Sequence, residues 1–258
     1  MSTLLAELPA LVVAALVGLI VGSFLNVCIH RLPRKESVAW PGSHCPQCGH
    51  AIAWYDNMPV LSYLWLRGRC RHCRAGIPVR YLLVEIATAA LFVAAVHLYP
   101  PGLLLASRLV FGCALIVLFV VDLDHRILPN VITVPGIAVG FVFAALSEPG
   151  WRSALIGIVA GGGIPLAIAW LYEKVRGHEG LGMGDVKMLA MIGAFLGWQH
   201  MLLTLVLSSF IGSIIGVAFI VAGKGARYAL PFGTFLAVGA LATIVVGDSF
   251  LSWYLSQF

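Results

Sequence analysis

Two groups of side chains in this sequence have the types and spacing that chemistry needs. The first is four cysteines, Cys45-Pro-Gln-Cys48 and Cys70-Arg-His-Cys73, two CxxC pairs separated by 21 residues (the full sequence has six cysteines). Each CxxC makes a tight knuckle that aims two thiolates at one point. Two knuckles make a closed four-sulfur site of the kind that holds zinc. Disulfides are the competing reading, disfavoured if the segment faces a reducing compartment. Four thiolates leave no open position for water, so the metal would be structural, clipping together a segment too small to build a core of its own. His44, His50 and His72 read as polar loop residues, since the four sulfurs already suffice. Cys28 and Cys113 fall in apolar runs and read as small buried side chains.

The second group is acidic. The chain has 11 acids, and those inside or beside apolar runs are informative, because an ionisable group in a bilayer is expensive and defaults to a functional reading. Asp122 and Asp124 stand in Val121-Asp-Leu-Asp-His-Arg-Ile-Leu-Pro-Asn130, and Asp185 stands in Gly180-Leu-Gly-Met-Gly-Asp-Val-Lys187. Side chains at i and i+2 on a helix point apart, so at most one of Asp122 and Asp124 shares a site with Asp185. Two carboxylates brought together do not both ionise easily. One keeps its proton while the other acts as base, a pair able to activate water and protonate a leaving amine, which is aspartic peptide hydrolysis. Gly182 and Gly184 would let backbone approach such a site closely. Other readings stand beside this one. Asp122 and Asp124 can simply end a helix while Asp185 caps the next. Asp122 and Asp124 can hold Mg2+ for phosphoryl or glycosyl transfer to a lipid. The chain can also be a non-enzymatic transporter or membrane scaffold with a zinc-bound interaction domain.

The elements that must position these groups are membrane helices. Of 258 residues, 60% are hydrophobic and 10% charged, with mean hydropathy +0.98. A soluble domain is about 45–50% apolar and about 25% charged. The composition excludes disordered, collagen-like and small secreted classes and predicts an all-α integral membrane protein. Apolar runs at about 8–29, 82–98, 103–121, 131–146, 154–172, 186–197, 201–221 and 231–246 give about eight transmembrane helices, the sixth being short for a span and a candidate re-entrant segment. The first run lacks a basic stretch ahead of it and reads as a retained helix, not a cleaved signal. Turn residues separate the spans at 99–102, 148–150 and 223–225. Three parts follow: a first helix at 1–30, a tetra-cysteine domain at 31–81, and a polytopic domain at 82–258.

Charge sets the expected orientation. Eight of the 16 Lys and Arg lie between Arg31 and Arg80. With that loop cytoplasmic, alternating spans put Arg126, Lys174, Arg176, Lys187, Lys224 and Arg227 on the same side, giving 8 + 6 = 14 of 16 basic residues inside. Arg152 then lies by an outer loop, and Arg108 sits within the third span, where it meets a polar partner or snorkels outward. The basic loop is an orientation signal ahead of a nucleic-acid patch, and no nucleic-acid partner is expected.

Several ordered segments resemble the bacterial type IV prepilin peptidases, GxGD aspartic proteases: Gly22-Ser-Phe-Leu-Asn-Val-Cys-Ile-His-Arg-Leu-Pro33, Ser43 through His50, Asn57 through Ser62, Arg67 through Cys73, Ile77 through Tyr81 with Glu85, Asp122 through Asn130, Gly182-Met-Gly-Asp185, and Pro231-Phe-Gly233. The resemblance covers roughly residues 18–235. It implies a multi-pass endopeptidase of the bacterial inner (cytoplasmic) membrane that removes the basic leader of prepilins or pseudopilins at the cytoplasmic face, with Asp122 and Asp185 as the catalytic pair. It also implies N-methylation of the new N-terminal residue with S-adenosylmethionine, an activity associated with members that carry the tetra-cysteine zinc region. No glycine-rich Rossmann loop is present for that donor, so its site would be unconventional. Glu85 is a candidate contributor there, or it pairs with Arg80 or another loop base. Lys187 is read as an inside-facing anchor or a leader contact. The substrate's apolar helix would lie along the spans, in contact with membrane lipid, with small-residue runs at Gly136–Gly140 and Gly212–Gly216 suited to adjustable packing.

Overall fold

The computed structural model describes residues 2–176, 182–223 and 231–257. The described residues form eight α-helices and no β-strand: α1 (Ser2–Arg31), a short α2 (Leu61–Trp65), α3 (Val79–Leu98), α4 (Leu103–His125), α5 (Asn130–Leu146), α6 (Trp151–Arg176), α7 (Met183–Val221) and α8 (Phe232–Leu255). Six of them are long and apolar enough to cross a membrane, and α5 is a shorter apolar helix. Large apolar side chains stand exposed along them, among them Val13 and Ile20 on α1 and Val159 and Ile168 on α6. Such surfaces suit lipid and not water. The protein is an all-helical, multi-pass integral membrane protein. Of the expected turn at 223–225, only Gly223 is described. Lys224, Arg227 and the Gly180-Leu181 start of the glycine run lie outside the described residues.

The chain divides into two compact units, Met1–Leu109 and Val110–Phe258. In the first, α1 packs on α3 with backbones close together. A Cβ on Gly18 would sit 2.6 Å from the Cα of Ala89, and one on Gly22 would sit 2.7 Å from the Cα of Glu85. Small residues are what allow this approach where lipid supplies no hydrophobic drive. The amide of Asn26 donates to the Tyr81 carbonyl at 2.9 Å, tying the end of α1 to the start of α3. Arg31, one of the expected orientation charges, is buried. Its guanidinium donates to the carbonyls of Ser37 (2.9 Å), Pro41 (2.7 Å) and Gly42 (3.2 Å), folding the following loop around it.

In the second unit the first half of α7 is the centre. Met188, Leu189, Met191, Ile192 and Phe195 are buried together with Phe111, Leu115 and Leu118 of α4 and Leu236 of α8. The Phe111 and Phe195 rings stack at 4.6 Å. A helix apolar on all sides is stable only when surrounded, and here α5, α6 and α8 all pack against α7. The α6–α7 contact is backbone on backbone: a Cβ on Gly157 would lie 2.5 Å from the Gly193 carbonyl oxygen. Gly136 and Gly140 of α5 receive the side chains of Met191 and Phe195.

The expected sixth and seventh spans run together as α7, broken at Gly197, whose φ of 79° and ψ of 172° are not helical. The eight expected apolar runs thus map onto seven long helices, one of them kinked. Glycine tolerates this conformation and other residues do not.

Candidate functional site

The carboxylate centre belongs to the second unit. Asp122 lies in the last turn of α4 and is 5% exposed. Its Oδ2 accepts the main-chain N–H of Thr234 at 2.7 Å and the Thr234 hydroxyl at 3.0 Å. Thr234 is in the first turn of α8, where N–H groups have no partner within the helix. Asp122 therefore caps α8 from another helix, across 112 positions of sequence. Asp185 is in the first turn of α7 and half-buried, and its own N–H donates to the Gly182 carbonyl at 3.0 Å. The Asp122 and Asp185 carboxylates are close enough to feel each other's charge.

Two glycines make room for this centre. A Cβ on Gly233 would lie 3.0 Å from Asp122 Oδ2 and 2.9 Å from Leu128, and a Cβ on Gly184 would lie 3.0 Å from the same leucine. The starts of α7 and α8 thus converge on the Asp122–Leu128 segment. Lys187 Nζ donates to Asn130 Oδ1 at 2.9 Å, which ties α7 to the start of α5. Asp124 is exposed, on the far side of α4 from buried Asp122. The side-by-side pair that a Mg2+-dependent transferase would need is therefore not formed. Thr234 and Leu128 were not singled out in sequence. The only signal for Thr234 is a hydroxyl residue directly after the Pro231-Phe-Gly233 run, in the first turn of a span, where N–H groups lack partners within the helix.

The four cysteines belong to the first unit. Their sulfurs all lie within 4.8 Å of one another, and Cys45 Sγ is 3.8 Å from Cys73 Sγ. A tetrahedron with metal–sulfur bonds of about 2.3 Å has edges of about 3.8 Å. A disulfide needs about 2.05 Å, and all six cysteines are free. The cluster can hold a metal ion, and its donor set fits zinc. His44, His50 and His72 are exposed and outside the cluster, with the His50 and His72 ring centroids 3.4 Å apart and the rings tilted by 38°.

The two knuckles repeat each other at an offset of 70 − 45 = 25 residues. Cys45 N–H donates to the His50 carbonyl at 2.9 Å, and Cys70 N–H to Ala75 at 2.8 Å. Gly49 and Arg74 hold the same left-handed position, with φ of 70° and 61°. The main-chain N–H of Cys48 pulls the Cys45 thiol down to about 7. Cys73 receives an N–H from Ala75 that favours its thiolate, yet loss of hydration and the neighbouring sulfurs push it up to about 11. Between the knuckles, Arg71 makes a two-pronged bond to Asp56 (2.8 and 2.6 Å), and this guanidinium holds the Asp56 carboxyl below the usual carboxylate range.

Glu85, on α3, is buried at 8% exposure. Its Oε2 accepts the Val60 N–H at 2.8 Å, and the Ser23 hydroxyl is its other partner. Val60 has φ of 61°, a conformation rare for a β-branched residue. Arg108, within α4, stacks its guanidinium on the Tyr99 ring at 5.8 Å.

Fold and site together define a multi-pass membrane protein with a buried and a half-buried aspartate at converging helix ends in one unit and a metal-capable tetra-cysteine module in the other. Comparison with known proteins makes this specific. The bacterial peptidase A24 N-terminal domain matches residues 16–99, and the type IV leader peptidase family matches residues 109–217. Several relatives carry the name prepilin leader peptidase/N-methyltransferase. That of Aeromonas hydrophila is 38% identical, covering 94% of this chain and 93% of its own. That of Burkholderia pseudomallei strain 1026b is 39% identical over 95% and 89%, and that of Pseudomonas aeruginosa is 36% identical over 93% and 91%. The chain belongs to the type IV leader peptidase family. No solved structure matches it.

Proposed function

We propose that this chain is an aspartic endopeptidase of the bacterial inner membrane. It removes the leader of type IV prepilins or pseudopilins at the cytoplasmic face and methylates the new N-terminal amine. The observation that carries the peptidase reading is the pairing of Asp122 with Asp185 at the ends of three helices. One carboxylate takes a proton from water as the water oxygen attacks the scissile carbonyl. The other, protonated, donates to the developing oxyanion and then helps the amine leave. Asp122 already accepts two hydrogen bonds at Oδ2, which suits it to the role of base, with Asp185 as the proton donor. In this reading residues 1–30 anchor the chain, 31–81 form a zinc-stabilised module tied to methylation, and 82–258 form the peptidase. The basic loop and Lys187 keep both active regions on the cytoplasmic side.

S-adenosylmethionine supplies an electrophilic methyl group. Bound to this chain it would supply that methyl group to the new N-terminal amine. The test is a mass spectrum of a purified prepilin incubated with the protein, with and without S-adenosylmethionine. Leader loss plus one methyl group is expected, and Asp122→Asn or Asp185→Asn should remove cleavage. Wild-type cleavage by either variant would overturn the assignment of the pair.

A further inference from the structure

The loop between α1 and α3 carries apolar surface that the cysteine cluster does not use. Trp54 is 80% exposed and Trp65 is 82% exposed. Trp54 and Tyr55 open a single 3-10 turn, Trp54–Asn57, that packs against α2. In α2, Leu61, Leu64 and Trp65 stand at i, i+3 and i+4, so they share one face. All three are exposed, whereas Tyr63 turns inward and donates its hydroxyl to the Ile77 carbonyl at 3.2 Å. An apolar side chain exposed singly needs no explanation, but a clustered apolar face does.

The position of α2 shows what covers that face. Its N-cap residue, Val60, donates its N–H to Glu85 Oε2 at 2.8 Å. Glu85 is 85 − 79 = 6 residues into α3, about 9 Å along the axis at about 1.5 Å per residue. With 20 residues α3 is about 30 Å long, which matches the hydrocarbon core of a bilayer, so it needs its whole length to cross. The start of α2 is therefore level with lipid and not out in water. Tryptophan and tyrosine concentrate at this headgroup depth, and amphipathic helices lay their apolar face there. Charge agrees with this placement. Arg67, Arg69 and Arg74, all exposed, follow α2 directly. Residues 31–80 hold eight Lys and Arg against two acids, and one of those acids, Asp56, is taken up by Arg71. Such a surface is complementary to anionic headgroups.

We propose that the cysteine module is seated on the bilayer. The Trp54–Trp65 surface lies in the headgroup layer of the leaflet that α1 and α3 enter, and Arg67, Arg69 and Arg74 gather anionic phospholipid beside it. The proposal stands apart from the peptidase and methyl-transfer readings.

The experiment uses the full-length, zinc-loaded protein, labelled with 5-fluorotryptophan, in nanodiscs of equal parts phosphatidylcholine and phosphatidylglycerol. Trp54→Phe and Trp65→Phe assign two of the seven tryptophan fluorine resonances. In the unmodified protein, phospholipid with a nitroxide near the top of its acyl chain should broaden both resonances. A Trp65 resonance that this lipid leaves sharp, while a gadolinium chelate in the water broadens it, overturns the seating and leaves the face to a protein partner. The headgroup is tested with two nitroxide lipids that differ only there. The phosphatidylglycerol form should broaden Trp65 about threefold more than the phosphatidylcholine form at low salt. The difference should vanish in high salt, and in Arg67→Gln/Arg69→Gln/Arg74→Gln with zinc content unchanged. Equal broadening by the two lipids at low salt, or a preference that survives high salt, overturns the assignment of anionic lipid to these arginines.

Discussion

Thr234→Val isolates one interaction at the aspartate pair. Valine keeps the size of threonine and removes only the hydroxyl that donates to Asp122 Oδ2 at 3.0 Å, leaving the main-chain N–H at 2.7 Å in place. A hydrogen bond to a charged group is worth about 1.5–3 kcal/mol. At about 1.4 kcal/mol per factor of ten in rate, kcat should fall roughly 10- to 100-fold. Thr234 touches the carboxylate and not the substrate, so KM should stay within about twofold, the split expected when only transition-state positioning is lost. Thr234→Ser restores the donor and should recover most of the rate. The assay is leader cleavage of a purified prepilin in detergent, with kcat and KM resolved. A Thr234→Val enzyme with unchanged kcat, alongside an inactive Asp122→Asn, would refute the reasoning. So would a loss confined to KM.

Three further outcomes are expected. Asp124→Asn should cleave at near the wild-type rate while Asp122→Asn is silent, because only the buried acid faces Thr234; the reverse pattern in the same assay would move the base by two residues. Gly157→Leu should destabilise the second unit by at least the 1–3 kcal/mol typical of overpacking, since its Cβ would meet the Gly193 carbonyl at 2.5 Å; thermal unfolding in detergent reads this, and an unshifted midpoint would deny the backbone contact. Cys48→Ser should abolish stoichiometric zinc by elemental analysis. Zinc affinity of the intact protein should weaken as pH falls below about 7, where Cys45 regains its proton, and a pH-independent affinity would exclude thiolate ligation.

Much of the architecture was legible because it rests on local signals. Apolar run length gave eight spans, which fall on seven long helices, and the CxxC spacing identified four sulfurs that meet within 4.8 Å. The i, i+2 rule places Asp122 and Asp124 on different faces of α4, and one is buried while the other is exposed. What sequence missed depends on contacts between distant positions. Nothing near residue 122 announces a partner at Thr234. The buried Arg31 looked like an orientation charge because its carbonyl partners have no sequence signature. The α7 break was read as a boundary between two spans because Gly197 does interrupt the helix. That one continuous element results depends on how Gly197 packs, with Ser153 and Pro149 against it. Glu85 looked like a candidate for a loop base, but its partners are a backbone N–H and a hydroxyl.

The segment between the knuckles is a loop whose two ends enter one cluster of sulfurs and whose middle, at Val60, hydrogen-bonds Glu85 on α3. A metal there works as a staple at the base of a lever, and the tip of that lever rests on a buried carboxylate. Events at the cysteines, such as oxidation or loss of the ion, should therefore be felt at a position that neither reagent touches. Peroxide or chelator treatment should raise hydrogen exchange at Val60 before any change appears in the Val110–Phe258 unit. The cysteine cluster and the buried Glu85 carboxylate are thus joined through one short segment and one backbone hydrogen bond.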